Sequence, residues 1–363
     1  MGRGRRKTAR WLALLAVAAC GDPEASTTET TAATTGDATS DATDTDATDT
    51  DETETTAGEV GWHATLKLDA TQGALLSVWG PARDDVYAVG GQDMVGEAPS
   101  RGIAFHHDGV AWSEVSLPQD TPRLNWVHGV DGALWVVGQR GTALTRDGDG
   151  WIATETGTEQ PLWGIWCAAA DQLWAVGGDG VGGAPTLLRY DGVAWSTVAV
   201  PPLSVESAGL FKVWGVGQAA IVVGDLGATL IYDGASWRAE ETGSLADLIS
   251  VWGVASDDAL AVGGRSNARL ARWDGDAWSG VTLAEEPGLS GVWVDPGGEA
   301  TVVGDQGLIA RVAPGELALV REESPTHLLL HAVTGFPDGT RVAVGGSLVG
   351  PPPFVGVAVH YTP

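Results

Sequence analysis

The residues of this chain that could carry chemistry are few and scattered. His106-His107-Asp108 is the one dense run of ligand-type side chains. Adjacent strand residues point to opposite faces, so the two imidazoles do not reach one metal ion. No His-Glu-x-x-His or Cys-x-x-Cys pattern accompanies them, and no metal or cofactor is expected. The glycine-rich stretch 177–183 leads into a strand and not a helix, which argues against a phosphate cradle. Tyr87, Tyr190, Tyr232 and Tyr361 fall in strands, the last three at equivalent strand ends, which favours packing over nucleophilic work. Asp84-Asp85 and Asp257-Asp258 recur at one kind of turn and read as turn formers. Two acids from different repeats, about 5 to 9 Å apart, would still suffice for glycoside hydrolysis. A glycan-cleaving activity therefore stays open, with no catalytic residue assigned.

The elements that would position these residues repeat. An apolar strand ends in Val-Trp-Gly; a second ends in Val-Gly; a third follows, then Asp-Gly-x-x-Trp. The second-strand mark falls at Val89, Val137, Val176, Val223, Val262, Val303 and Val344, with spacings of 48, 39, 47, 39, 41 and 41 residues. A period of about 40 residues built of four short strands signals propeller blades. The expected fold is all-β: a seven-bladed β-propeller of four-stranded antiparallel blades over 60–363. The seventh repeat lacks its fourth strand, whereas Gly61 to Leu68 reads as a fourth strand without a blade. The N-terminal strand is therefore expected to close the last blade, leaving no gap in the ring.

Two tryptophan columns run through the repeats. The first is Trp79, Trp166, Trp214, Trp252 and Trp293, with His128 and Thr334 in the other two copies. The second is Trp112, Trp151, Trp195, Trp237 and Trp278, to which Trp62 adds a seventh-blade counterpart. A fixed position is read as a packing wedge; burying about 200 Å² at about 25 cal/mol per Å² contributes up to about 5 kcal/mol each. Cys167 stands where the Val-Trp-Gly copies have their glycine and is expected to be buried and structural.

Specificity is expected on unequal second-to-third-strand loops, because long loops on a rigid scaffold carry function. Three are long: Gly90 to Arg101, Gly177 to Pro185 and Gly345 to Phe354. Blades seven and one adjoin in a closed ring. Their loops nominate Asp93, Met94, Glu97, Arg101 and Phe354 as ligand-binding candidates, with Asp179 on the third loop.

The first 59 residues are of another kind. Arg3, Arg5, Arg6, Lys7 and Arg10 precede a short apolar run from Trp11 to Ala19, as in an export signal over 1–19. The run is too short to span a bilayer, which takes about 20 apolar residues. Val17-Ala18-Ala19-Cys20 resembles the lipobox of bacterial lipoproteins. The resemblance implies cleavage before Cys20, acylation of its thiol, and attachment to the outer membrane or cell surface of a Gram-negative bacterium. Residues 20–59 hold Thr, Asp, Glu and Ala with no Lys, Arg or aromatic residue, so this stretch is expected to be a disordered, charge-extended spacer. The net charge is −27; the first 59 residues hold 12 of the 47 acids and 5 of the 20 bases, leaving −20 on the rest. Such a surface repels phosphate backbones and excludes nucleic acid as a partner.

The Val-Gly-x-x-Gly turns (Val137-Gly138…Gly141, Val223-Gly224…Gly227, Val303-Gly304…Gly307) and the Asp-Gly-x-x-Trp hairpins together resemble BNR/Asp-box propellers, especially the branch of the photosystem II assembly factors. Here Asp108 lies four residues before Trp112, where the Asp-box has five. That family holds sialidases, assembly factors and adhesins, so the resemblance implies three activities: a non-enzymatic protein- or glycan-binding scaffold, a glycan-cleaving enzyme, or an assembly factor for membrane complexes. The sialidase Arg-Ile-Pro motif is absent, which favours the first.

Overall fold

The structure, a computed structural model, describes residues 60–363 apart from Glu97, Asp149, 180–182 and 349–350. The leader, Cys20, the spacer and Glu97 lie outside the described residues. Strand β1 (Gly61–Leu68) opens the described chain. Blades one to six then take four strands each in order. Their innermost strands are β2 (Ala74–Ala82), β6 (Leu124–Val130), β10 (Leu162–Ala169), β14 (Leu210–Val216), β18 (Leu248–Ala255) and β22 (Leu289–Val294). Blade seven consists of β26 (Leu329–Gly335), β27 (Arg341–Gly346), β28 (Gly356–Thr362) and β1. Neighbouring innermost strands touch all the way round, β26 meeting β2.

The closure is antiparallel. Trp62 stands opposite Tyr361 and Leu68 opposite Gly356, with a register shift between Ala64 and Leu66. Trp62 thereby occupies the place of Trp195 opposite Tyr190 in blade three. The outer tryptophans also reach back to the preceding blade. Trp195 Nε1 donates to Thr154 Oγ1 at 3.0 Å, Trp112 Nε1 to Thr65 Oγ1 at 3.2 Å, and Trp62 Nε1 to Glu322 Oε2 at 2.8 Å. The first strand of the domain thus takes part in blade-to-blade contacts just as a fourth strand does elsewhere.

The inner tryptophans are wedges, and each needs a bare partner. A Cβ added to Gly129 would stand 2.6 Å from the Trp79 ring, one on Gly215 2.6 Å from Trp166, and one on Gly335 2.5 Å from Trp293. In each case the glycine belongs to the next blade. The repeated Val-Trp-Gly therefore supplies a wedge to one neighbour and a slot to the other.

Val-Gly-x-x-Gly also has a local cause. Arg140 (φ 56) and Gly141 (φ 66), Leu226 (φ 50) and Gly227 (φ 71), and Gln306 (φ 60) and Gly307 (φ 72) are consecutive left-handed pairs. Two such residues make the two-residue hairpin turn that matches strand twist. The second must be glycine, because a Cβ on Gly141 would meet the Thr158 carbonyl and one on Gly227 that of Ser244.

In the outer hairpins the aspartate carboxylate ties down its own turn. Asp233 Oδ1 accepts the N–H groups of Ala235 and Ser236 at 2.8 Å each, and Asp108, Asp191 and Asp274 repeat the pattern. These bonds hold the four carboxyls below the usual carboxylate range. Blade two differs: its third strand runs through Asp147 itself, and its fourth starts at Gly150. Blade six lacks the motif, and its outer strand shrinks to Val320–Arg321.

Candidate functional site

Two ends of the ring can be told apart. The turns joining first to second strands pack beside the outer hairpins, as Asp84 does beside Gly109. The second-to-third-strand turns pack beside the connections between blades, as Gly141 does beside Thr158. The three long loops all belong to this second end.

The loops of blades one and seven do meet. The Gln92 amide bridges them: its Nε2 donates to the carbonyls of Phe354 and Ala70, at 2.7 and 2.8 Å, and its Oε1 accepts the Phe354 N–H at 2.7 Å. Phe354 is 4% exposed and packs with Ala74, Leu76 and Leu348. Its ring anchors the loop from within and does not face solvent. Arg101 Nη2 donates to the Thr71 carbonyl at 2.7 Å. Asp93 Oδ2 holds the guanidinium of Arg123 at 2.5 Å, and Met94 stays 63% exposed. Asp179 lies on blade three, where its Oδ1 accepts the Gly183 N–H at 3.0 Å. The sequence candidates therefore divide: Asp93, Arg101 and Phe354 share one corner, Asp179 stands apart, and Glu97 is outside the described residues.

The dense His106-His107-Asp108 run splits as the strand pleat requires. His106 Nε2 meets Asp85 Oδ1 at 2.8 Å, and its ring stacks on Tyr87 at 4.5 Å. His107 turns inward against Trp112 and His360. Asp258 repeats the role of Asp85, pairing with Arg272 at 2.6 Å; the second member of each Asp-Asp pair is thus a strand-bracing anion. The tyrosine hydroxyls of Tyr190 and Tyr232 donate to the Gly192 and Gly234 carbonyls, closing hairpins. Among the described residues, no three metal-type side chains converge.

A groove of ≈ 530 Å³ opens at the long-loop end beside blade two. One wall is the blade-one-to-two connection, Pro118 to Pro122; the other is formed by Arg140 to Leu144 and Ala153 to Glu159. Asp120 holds a left-handed backbone (φ 61) there, and Arg140 Nη2 donates to its carbonyl at 3.5 Å.

The sequence reading passed over a second group at this end. Lys212, Arg123 and Asn125 are 5%, 7% and 2% exposed, and His331 is half-buried. Lys212 Nζ sits 2.8 Å from the centre of the Trp126 ring and donates to the Trp163 carbonyl at 3.4 Å. It forms no ion pair among the described residues. Burial pushes the Lys212 ammonium well below the usual lysine range. Burial, with the nearby Lys212 and Arg123 charges, holds His331 down at about 3. The signal in the sequence was a lone lysine in a column otherwise filled by Ser77, Trp126, Gly164, Ser250, Gly291 and Ala332.

No family model matches the chain, and no curated protein matches it. Solved structures do resemble it. YCF48 bound to D1 peptide superposes with a TM-score of 0.59 at 14% identity, covering 84% of this chain and 98% of that one. YCF48 from Cyanidioschyzon merolae gives 0.60 at 13% identity, covering 84% and 99%. Virginiamycin B lyase from Staphylococcus aureus with quinupristin gives 0.64 at 11% identity, covering 83% and 99%. At such identities the likeness establishes the architecture alone: the chain folds as a seven-bladed propeller.

Proposed function

We propose that this chain is an exported, lipid-anchored, non-enzymatic propeller that binds a protein partner at the envelope of a Gram-negative bacterium. The anchor rests on Cys20 at the end of its leader, and the reach on the acidic spacer that follows. The observation that carries the binding reading is the groove between Pro118–Pro122 and Ala153–Glu159, at the same end as the long loops. Its walls combine backbone turns with Asp120, Arg140, Glu155 and Glu159, groups suited to the alternating donors and acceptors of an extended peptide. A propeller of the same architecture, YCF48, is known bound to a D1 peptide. A glycan fits less well, because sugars stack on open aromatic faces and both tryptophan columns are spent on packing within and between blades.

The test is photo-crosslinking in cells from Gln119 and Asp120, with Val110 on the opposite end as control. A discrete protein adduct from the groove positions alone is expected. Adducts of equal intensity from Val110, or none from the groove, would defeat the reading.

A further inference from the structure

We propose that the ring's axis, at the long-loop end, holds a carboxylate-binding site formed by Lys212, His331 and Arg123. The three come from β14, β26 and the residue preceding β6, so no two share a blade.

The position follows from topology. β14 and β6 are not neighbours, since β10 lies between them. For its Nζ to rest on the Trp126 ring of β6, the Lys212 side chain must pass on the inner side of β10, over the axis. His331 agrees: it sits in an innermost strand, surrounded by protein, yet part of its surface stays open.

The unused bonding capacity calls for an anion. Lys212 spends one N–H on the Trp163 carbonyl and one on the face of the Trp126 ring, and keeps one. Arg123 gives Nη1 to Asp93, but its Nε finds no partner; His331 Nδ1 has none either. Asn125 Oδ1 is also unpartnered and accepts, so the guest brings a water or a hydroxyl with it. Arg123 has its carboxylate in Asp93, whereas Lys212 has none among the described residues, and burying a lone lysine costs several kcal/mol. An apolar residue would serve packing better. One carboxylate relieves this through charge-assisted bonds that are strong where water is excluded. A single charge suits the site, because Asp93 already occupies the Arg123 fork and the remaining domain carries −20. The Trp126 ring beneath Lys212 Nζ supplies an apolar wall for the stem that bears the carboxylate.

The carboxylate has two sources: a free small acid, or the C-terminus of a peptide entering along the axis. Full-length protein is titrated calorimetrically with acetate and benzoate against benzamide, and with a tetrapeptide carrying a free terminus against its C-terminal amide. At least one carboxylate is expected to bind at least tenfold tighter than its amide counterpart and to raise the melting temperature. Binding of benzoate but not the peptide identifies the free acid, and the reverse identifies the terminus. Lys212→Met is expected to weaken binding at least tenfold while melting no lower than wild type. Should that variant not fold, Lys212→Gln and His331→Asn carry the same expectation for binding. Equal affinity for acid and amide, or undiminished binding in the folded variants, would overturn the site. Axis variants are expected to leave crosslinking from Gln119 and Asp120 untouched, which separates failure of this site from failure of the groove.

Discussion

His128 Nδ1 accepts a hydrogen bond from the Cys167 backbone N–H at 3.2 Å, across the boundary between blades two and three. At three other boundaries a tryptophan ring overlies a glycine of the next blade: Trp79 over Gly129, Trp166 over Gly215 and Trp293 over Gly335. Here the wedge has shrunk to imidazole and the slot has gained a thiol. The two changes compensate in volume, and the imidazole gains a bond that indole could not make.

This predicts strong coupling. His128→Trp alone overpacks the slot and should cost about 1–3 kcal/mol. Cys167→Gly alone should cost a comparable amount, through an unfilled volume and added chain entropy. The double variant restores the Trp-over-Gly pair of the other boundaries, so its loss should fall short of the sum by at least about 1 kcal/mol. Urea unfolding of the four proteins measures it; additive losses would mean that the two side chains do not share a slot.

Acid sensitivity follows from the same residue. Burial holds His128 down at about 4, against 6.5 ordinarily, and an accepting Nδ1 requires the neutral ring. The unfolded chain therefore binds the proton first. This contribution to stability is complete above pH 6.5 and is lost as pH falls from 6.5 toward 4, by up to about 1.4 kcal/mol per unit. His360, held at about 3 by burial and by His107, acts in the same direction. Melting temperature should drop between pH 7 and pH 5, and drop less in the His128→Trp/Cys167→Gly variant. An equal drop in both would contradict the assignment.

Ring closure predicts a third outcome. Glu322 receives the Trp62 indole and pairs with Arg341 at 3.2 Å and Arg311 at 3.1 Å, while the Arg341 guanidinium lies 3.8 Å from the Tyr361 ring centre. Trp62→Ala should cost about 3–5 kcal/mol, the usual loss for a buried tryptophan. Glu322→Ala should cost a similar amount by stranding Arg341, itself 8% exposed. A Trp62→Ala protein that melts like wild type would show that β1 does not bear on the closure.

Much of this architecture is legible in the residues because each repeated position answers one local demand. Val-Trp-Gly encodes wedge and slot, Val-Gly-x-x-Gly a left-handed pair, and Asp-Gly-x-x-Trp a self-capped hairpin. The missing seventh outer strand could be traced to Gly61–Leu68 by the same logic. The candidate site was less legible, because it depends on which side chains meet across non-adjacent blades. Phe354 looked like a loop residue but is buried, since the Gln92 bridge folds its loop inward. Asp93 looked available but holds Arg123. Lys212 drew no notice because its meaning lies in Trp126, 86 positions away in the chain and two blades away in the ring.

The proposal of a tethered, partner-binding propeller is tested most directly by crosslinking from Gln119 in cells that carry either the wild-type leader or Cys20→Ser, followed by membrane fractionation. The account predicts a partner adduct in the membrane fraction of the wild type and its loss, with release of the propeller, when Cys20 is replaced. A propeller that stays with the membrane without Cys20, or an adduct indifferent to that change, would contradict it.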